Sequence, residues 1–382
     1  MKFEFIEELN QLKKFEKLTD KERSIVFYAE NKASINHYRE LISEITEKEG
    51  LQICYVTSVK HDPILSSKNK NILPFYIGNG TARSKFFLTL KAKILIMDMP
   101  DLEIFHIKRS KVYPVHYIYI FHSVFSVHSY LRKGAIDNYD TVFCVGEHHE
   151  KEIRETEKLY KLKPKKLLKY GFGRLDTLLH KKQEFKQMGL DGEKLIIIAP
   201  SYGKDNLLEI CGIEMIEILL KANFSILLRP HFKILEDPKS KIKTIRKKFE
   251  NNPRLIIEEG VIPPEKFYNS ICMISDWSGI SLEYAFVMEH PVIFIDVPKK
   301  EMNSESKYIK CEPIEISLRN KVGNVISPED IKNIPHIIEN LNDIDSCFNL
   351  EIKNTCKNTV FNIGNSARIG GKYVKDLLYE LG

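Results

Sequence analysis

The chain has 382 residues, enough for two domains of ordinary size that each bury a core. Hydrophobic residues make up 43% and charged residues 29%, which excludes a disordered chain, and eighteen glycines with sixteen prolines exclude a collagen-like or linker-dominated one. Lysine and arginine exceed aspartate and glutamate by 58 to 52; the net charge of +6 permits contact with phosphate, anionic lipid or nucleic acid and requires none of them.

In chain order, short apolar runs fall at residues 24–29, 51–57, 93–98, 116–121 and 141–145. Amphipathic stretches of helical period lie between them at 34–48, 81–91 and 147–160. The second half repeats the pattern, with runs at 194–199, 224–228, 254–258, 271–274 and 291–295 and helical stretches at 206–222, 238–250, 264–270 and 278–288. Strands alternating with helices predict parallel sheets covered by helices. The unbroken Leu195-Ile196-Ile197-Ile198 fits a strand buried on both faces. Lysine-rich sequence around Pro164 and at Lys181-Lys182, with a turn at 189–192, places domains at 1–185 and 186–382. The expected fold is α/β: two Rossmann-like, doubly wound domains facing a central cleft. A C-terminal helix over 366–381 is a candidate to cross back.

No apolar run approaches the roughly twenty residues that span a bilayer. Met1-Lys2-Phe3-Glu4-Phe5 has no signal-peptide core. Cysteines 54, 144, 211, 272, 311, 347 and 356 show no C-x-x-C spacing and read as buried free thiols of a reducing compartment. The expected location is cytoplasmic, with a peripheral seat on the inner face of the cell membrane left open.

In an open parallel sheet, ligands bind beyond the carboxyl ends of the strands. His122 and Ser123 follow the fourth run; Pro200, Ser201 and Tyr202 follow the sixth. Arg229, Pro230 and His231 follow the seventh, and Ser275-Asp276-Trp277-Ser278-Gly279 follow the ninth. This last segment leads into a helix, whose free N–H groups and dipole suit a diphosphate. Asp276 or Ser278 can equally be a plain helix cap. Glu283 and Tyr284 stand within reach of a ribose or base, or are ordinary helix residues. Pro230 fixes the backbone beside His231, and histidine serves as general acid or base near neutral pH. A lone histidine at a strand end is more often structural; His122 at the same place in the other half shifts the balance toward a site. Arg229 suits a phosphate or a supporting role equally.

His148-His149, flanked by Glu147 and Glu150, read as the exposed start of a helix, and with His128 they lack metal-ligand spacing. Gly78-Asn79-Gly80 reads as a turn without the full P-loop pattern. The lysines from Lys158 to Lys169, and from Lys239 to Lys248 with Arg246, read as solvated faces. Their functional alternative is docking to anionic lipid, at about 1 kcal/mol per well-placed basic residue. No stacking-aromatic signature accompanies this charge, so no nucleic-acid partner is expected.

Five segments taken in order carry a family resemblance. They are Phe121-His122-Ser123, Gly171-Phe172-Gly173-Arg174-Leu175-Asp176, Ala199-Pro200-Ser201-Tyr202, Arg229-Pro230-His231 and Ser275-Asp276-Trp277-Ser278-Gly279. Over roughly residues 24–300 the sequence resembles the CDP-glycerol glycerophosphotransferases of teichoic acid and capsule synthesis. It departs from the family pattern where Ser123 replaces a glycine, Gly173 a proline and Gly279 a serine. The resemblance implies the two-domain GT-B architecture. It also implies transfer of glycerol phosphate, or a related polyol phosphate, from a CDP-activated donor to a hydroxyl of a capsule, teichoic-acid-like or lipopolysaccharide precursor, with release of CMP. On it, His122 is the general base, and His231 with Arg229 steadies or protonates the diphosphate. Ser275, Asp276, Ser278 and Gly279 form the phosphate cradle, Glu283 lies toward the nucleotide, and Ser201 and Arg174 complete the substrate-binding set. No cofactor and no metal are implied. The partners implied are the nucleotide-activated donor and a surface-polymer or lipid-linked acceptor, with an anionic membrane surface a further candidate. Two rivals stay open: a GT-B glycosyltransferase using a CMP- or UDP-sugar, and a non-catalytic basic module docking on membrane or nucleic acid.

Overall fold

A computed structural model of the chain describes residues 2–187, 195–260, 262, 264–299 and 302–382. The first half holds seven strands: β1 (Ile25–Ala29), β2 (Ile53–Thr57), β3 (Ile72–Tyr76), β4 (Ile94–Met97), β5 (His116–Ile120), β6 (Thr141–Cys144) and β7 (Lys166–Lys169). Its helices are α1 (Lys2–Glu16), α2 (Ile35–Ser43), α3 (Thr81–Thr89), α4 (Val127–Tyr130), α5 (Glu147–Tyr160) and α6 (Gly173–Gln187). The second half holds β8 (Leu195–Ala199), β9 (Ser225–Leu228), β10 (Leu255–Ile257), β11 (Ser270–Ser275), β12 (Val292–Ile295) and β13 (Gly323–Ile326). Its helices are α7 (Ile213–Lys221), α8 (Phe232–Glu236), α9 (Ile242–Lys248), α10 (Pro264–Tyr268), α11 (Ile280–Met288), α12 (Ile314–Ser317) and α13 (Arg319–Val322). Two long helices close the chain, α14 (Ile334–Thr359) and α15 (Ser366–Glu380).

Every strand pair is parallel. The sheets run β3-β2-β1-β4-β5-β6-β7 and β10-β9-β8-β11-β12-β13. The fold is therefore α/β with two parallel sheets. Strand order reverses between β1 and β4 in one sheet and between β8 and β11 in the other. At such switch points the helices leave on opposite faces and a crevice opens at the carboxyl ends of the strands.

All ten strands read from the sequence are present. The three that the apolar pattern does not show, β3, β7 and β13, all lie at sheet edges. An edge strand is half solvated and carries mixed sequence. β7 reads Lys-Leu-Leu-Lys, and β3 carries Pro74, which only an edge tolerates. The turn expected at 189–192 lies outside the described residues.

One apolar core runs continuously from the first half into the second, joining Leu12, Tyr28 and Phe121 to Ile197, Met273 and Tyr284. The far faces of the two sheets have cores of their own. α15 packs on the first sheet, where Val374 and Leu377 join Tyr38 and Leu41. Asp176 of α6 holds its start by accepting the N–H groups of Gly364 at 2.7 Å and Ser366 at 3.1 Å. Lys375 bonds Glu49 near its end at 2.6 Å.

Candidate active site

His122 leaves the end of β5 and sits in a pocket of rings. Its Nδ1 lies 3.4 Å from the Tyr119 hydroxyl, and its ring is 6.1 Å from Tyr130 and 6.2 Å from His37. Burial holds its pKa below the ordinary value, against the opposing pull of the Asp98 backbone and the Glu283 carboxylate. A desolvated imidazole that stays neutral is in the protonation state a base needs.

The loop after His122 is built from below. His148 and His149 are not the exposed helix start that the flanking glutamates suggested. His149 is 0% exposed, with Nε2 bonded to the Phe125 carbonyl at 2.9 Å and its ring 3.8 Å from Phe121. His148 bonds the Val124 carbonyl at 2.8 Å. Both rings turn inward because α5 begins directly beneath the 121–125 loop, whose carbonyls need donors.

His231 stands on the opposite wall. It caps α8, its Nδ1 accepts the Lys233 N–H at 3.2 Å, and its ring lies 4.6 Å from Tyr202. With Nδ1 accepting, the proton of the neutral ring belongs on Nε2. Burial raises the Tyr130 pKa and Tyr202 adds to it, so the rings beside the two histidines lie within electrostatic reach of each other.

Between these walls the halves meet directly. Arg174 of α6 bonds Glu283 of α11 at 2.6 Å, with Glu283 nearly buried. Arg229 joins this group: burial lowers its pKa first and Arg174 lowers it further, while Glu283 and Glu258 oppose. Gly279 caps α11, and a Cβ there would stand 2.6 Å from the Ser123 hydroxyl oxygen. A side chain at 279 would have to displace the Ser123 hydroxyl, so the β5 loop approaches the helix tip closely here. Ser123, His122, Gly279, Glu283, Arg174 and Arg229 therefore form one constellation across the crevice.

Three expected ligand contacts are turned inward instead. Asp276 is 1% exposed; its carboxylate accepts the N–H of Ser201 at 2.6 Å and of Leu207 at 2.9 Å. It holds the 201–207 loop over the β8–β11 switch point, and burial raises its pKa against those bonds. Ser201 is correspondingly buried against Asp276. The Ser275 hydroxyl donates to the Ala199 carbonyl at 2.7 Å and ties β11 to β8. Tyr284 is a core residue whose hydroxyl meets Ser270 at 3.0 Å. Of the four cradle residues, Ser278 and Gly279 remain partly open at the tip of α11. Arg174 and Glu283, read as substrate contacts, face each other because opposite charges meet across the gap.

His37 is the residue the sequence did not reveal. It sits in α2 among polar neighbours and follows no strand directly. The fold stacks it on Phe172 and beside His122, with its Nδ1 buried and without a hydrogen-bond partner. The basic stretch before β7 is also corrected at one position: Lys165 is 5% exposed and pairs with Glu157, while Lys161, Lys163, Lys166 and Lys169 are exposed.

Residues 10–303 match the family model of the CDP-glycerol:poly(glycerophosphate) glycerophosphotransferases. The chain belongs to this family. It is accordingly a transferase of the glycerophosphotransferase type. No curated protein matches it by sequence. Solved structures share its fold at low identity. The wall teichoic acid polymerase TagF, soaked with CDPG, is 13% identical with a TM-score of 0.60, covering 98% of this chain and 94% of that one. The Staphylococcus aureus MnaA–UDP structure is 13% identical with a TM-score of 0.58, covering 94% and 97%. The UDP-GlcNAc 2-epimerase of Neisseria meningitidis bound to UDP-GlcNAc is 14% identical with a TM-score of 0.55, covering 93% and 99%. These are two-sheet folds of the GT-B type.

Proposed function

We propose that this glycerophosphotransferase family member moves glycerol phosphate, or a related polyol phosphate, from a CDP-activated donor to a hydroxyl of a surface-polymer precursor. The observation that carries the reading is His122, a half-buried imidazole whose pKa desolvation lowers and whose neighbour Ser123 meets the α11 tip across the crevice. On this reading the half over 1–185 receives the acceptor and the half over 186–382 holds the donor.

The acceptor hydroxyl gives its proton to the unprotonated ring nitrogen of His122. Its oxygen attacks the phosphorus that carries the polyol. The P–O bond to the CMP phosphate breaks, and its electron pair leaves with CMP. Backbone N–H groups at Ser278 and Gly279, Arg229, and the Nε2–H of His231 stabilise the charge that gathers on the leaving group. Asp276, Ser275 and Ser201 act by holding this end of the second sheet rigid. Arg174 and Glu283 fix the spacing of the two walls.

A lipid-linked acceptor would bring the protein to an anionic surface, where the exposed Lys161, Lys163, Lys166 and Lys169 supply attraction. Among the described residues no helix is long and apolar enough to cross a membrane. The purified protein should be offered CDP-glycerol, CDP-ribitol, and CMP- and UDP-sugars, with the released nucleotide identified. CMP from a CDP-polyol supports the proposal. Inert CDP-polyols beside turnover of a nucleotide sugar refute it and favour glycosyl transfer.

A further inference from the structure

We propose that Glu315 of α12 is a positioning residue for His122, holding the loop that carries the imidazole from the opposite half of the molecule. The geometry stands by itself; its kinetic consequence rests on the transferase reading above.

The loop leaves β5 at Ile120 and enters the four-residue helix α4 at Val127. The N–H groups at the start of α4 are shut away from water, and two buried carboxylates meet them. Glu152 belongs to the same half. Its Oε2 accepts the N–H of Val127 at 2.6 Å and of His128 at 3.3 Å, and lies 3.0 Å from His128 Nδ1. Glu315 comes from the other half. Its Oε2 accepts the Ser126 N–H at 3.1 Å, and its Oε1 accepts the Ser129 hydroxyl. The exchange is mutual, for Ser126 Oγ accepts the Ile314 N–H at 2.8 Å. Asn303, also from the second half, donates to the His128 carbonyl at 3.0 Å. Glu315, Ser126 and Ser129 are at most 5% exposed.

The loop that carries His122 is therefore held from both halves. His148 and His149 of the first half bond its Val124 and Phe125 carbonyls, and the Glu315 carboxylate of the second bonds it at Ser126. The residue after Ser129 is Tyr130, whose ring lines the His122 pocket. Buried N–H and hydroxyl groups demand a partner, and here that partner arrives only when the second half is in place. The base is set by the contact of the halves, not by the first sheet alone. A displacement of about 1 Å in such a group costs on the order of a hundredfold in rate.

The test uses the full chain with Glu315→Gln and Ser129→Ala. Glutamine keeps the size of the side chain but removes the charge and brings an N–H donor against donors. His122 is followed by NMR through its Cε1–H resonance, identified by its loss in His122→Asn. CMP release from CDP-glycerol is measured in parallel. The expected result for Glu315→Gln is a His122 titration moved upward toward ordinary histidine, with kcat reduced about 10- to 100-fold and donor KM within about twofold of wild type. Ser129→Ala should move both in the same direction by less. If Glu315→Gln does not fold, Ser129→Ala carries both readouts. An unchanged His122 titration in a folded variant overturns the proposal. So does a loss of rate that merely follows the unfolded fraction, since an ordinary interface residue would give that. If the wild type releases no CMP from CDP-glycerol, that donor is excluded under these conditions, and the His122 titration alone decides the role of Glu315.

Discussion

At the residue scale, the proposed function asks that His122 be neutral and held in place. Burial lowers its pKa, so the base-competent form should persist below the pH at which a free histidine protonates. The acid limb of kcat/KM should therefore fall below pH 6.5, and activity should drop as pH decreases through that limb. An acid limb at or above the ordinary value contradicts the assignment. Gly279 offers a second residue-level check. Its missing Cβ is what admits the Ser123 hydroxyl, so Gly279→Ala should destabilise by about 1–3 kcal/mol, as overpacking does. Ser123→Gly in the same chain should recover most of that loss, read as coupling in a double-mutant cycle of urea melts. Additive effects would show that the two positions do not meet. Asp98, buried beneath the site, is pushed up to about 6 by burial, against the hydrogen bonds from Tyr38 and Ser34. A carboxyl raised in the folded state favours folding at low pH, and that share of stability is lost as pH rises from about 4 to 6. Asp98→Asn should flatten the stability profile in that window.

At the element scale, every interior strand could be read, and of the four edge strands only β10 could. β1 and β8 are apolar throughout because both faces are covered, whereas Lys166-Leu167-Leu168-Lys169 looks like part of a basic linker until it pairs with β6. The strand ends gave His122, Arg229 and His231 directly, because a doubly wound sheet delivers strand-end residues to the crevice. It did not give the inward turn of Asp276, Ser275 and Ser201, since a capping residue and a loop anchor look alike in sequence. His37 stayed hidden because its partners, Phe172 and His122, lie far along the chain. α15 supplies this scale's prediction. Asp176 accepts both the N–H and the hydroxyl of Ser366 as well as the Gly364 N–H. Asp176→Ala leaves those donors without an acceptor and should cost on the order of 2–4 kcal/mol in chemical denaturation. A change under about 0.5 kcal/mol would show that the helix does not depend on this anchor.

At the scale of the whole molecule, the two sheets share one apolar core, and charged pairs cross between them. Arg174→Ala would strand the nearly buried Glu283, a change that typically costs 3–5 kcal/mol. The shared core predicts that the halves unfold together. Trp277, the single tryptophan, reports on the second half, while far-UV circular dichroism reports on both. Their thermal transitions should coincide, and two separated transitions would show independent halves. The central claim is that this shared architecture brings a neutral base from one half to a CDP-activated donor held by the other. The most direct measurement is CMP release from CDP-glycerol in the presence of a membrane fraction as acceptor, for wild type and His122→Ala side by side. The account predicts release by the wild type and a loss of two to four orders of magnitude in a folded variant. Equal release by the two proteins would contradict it.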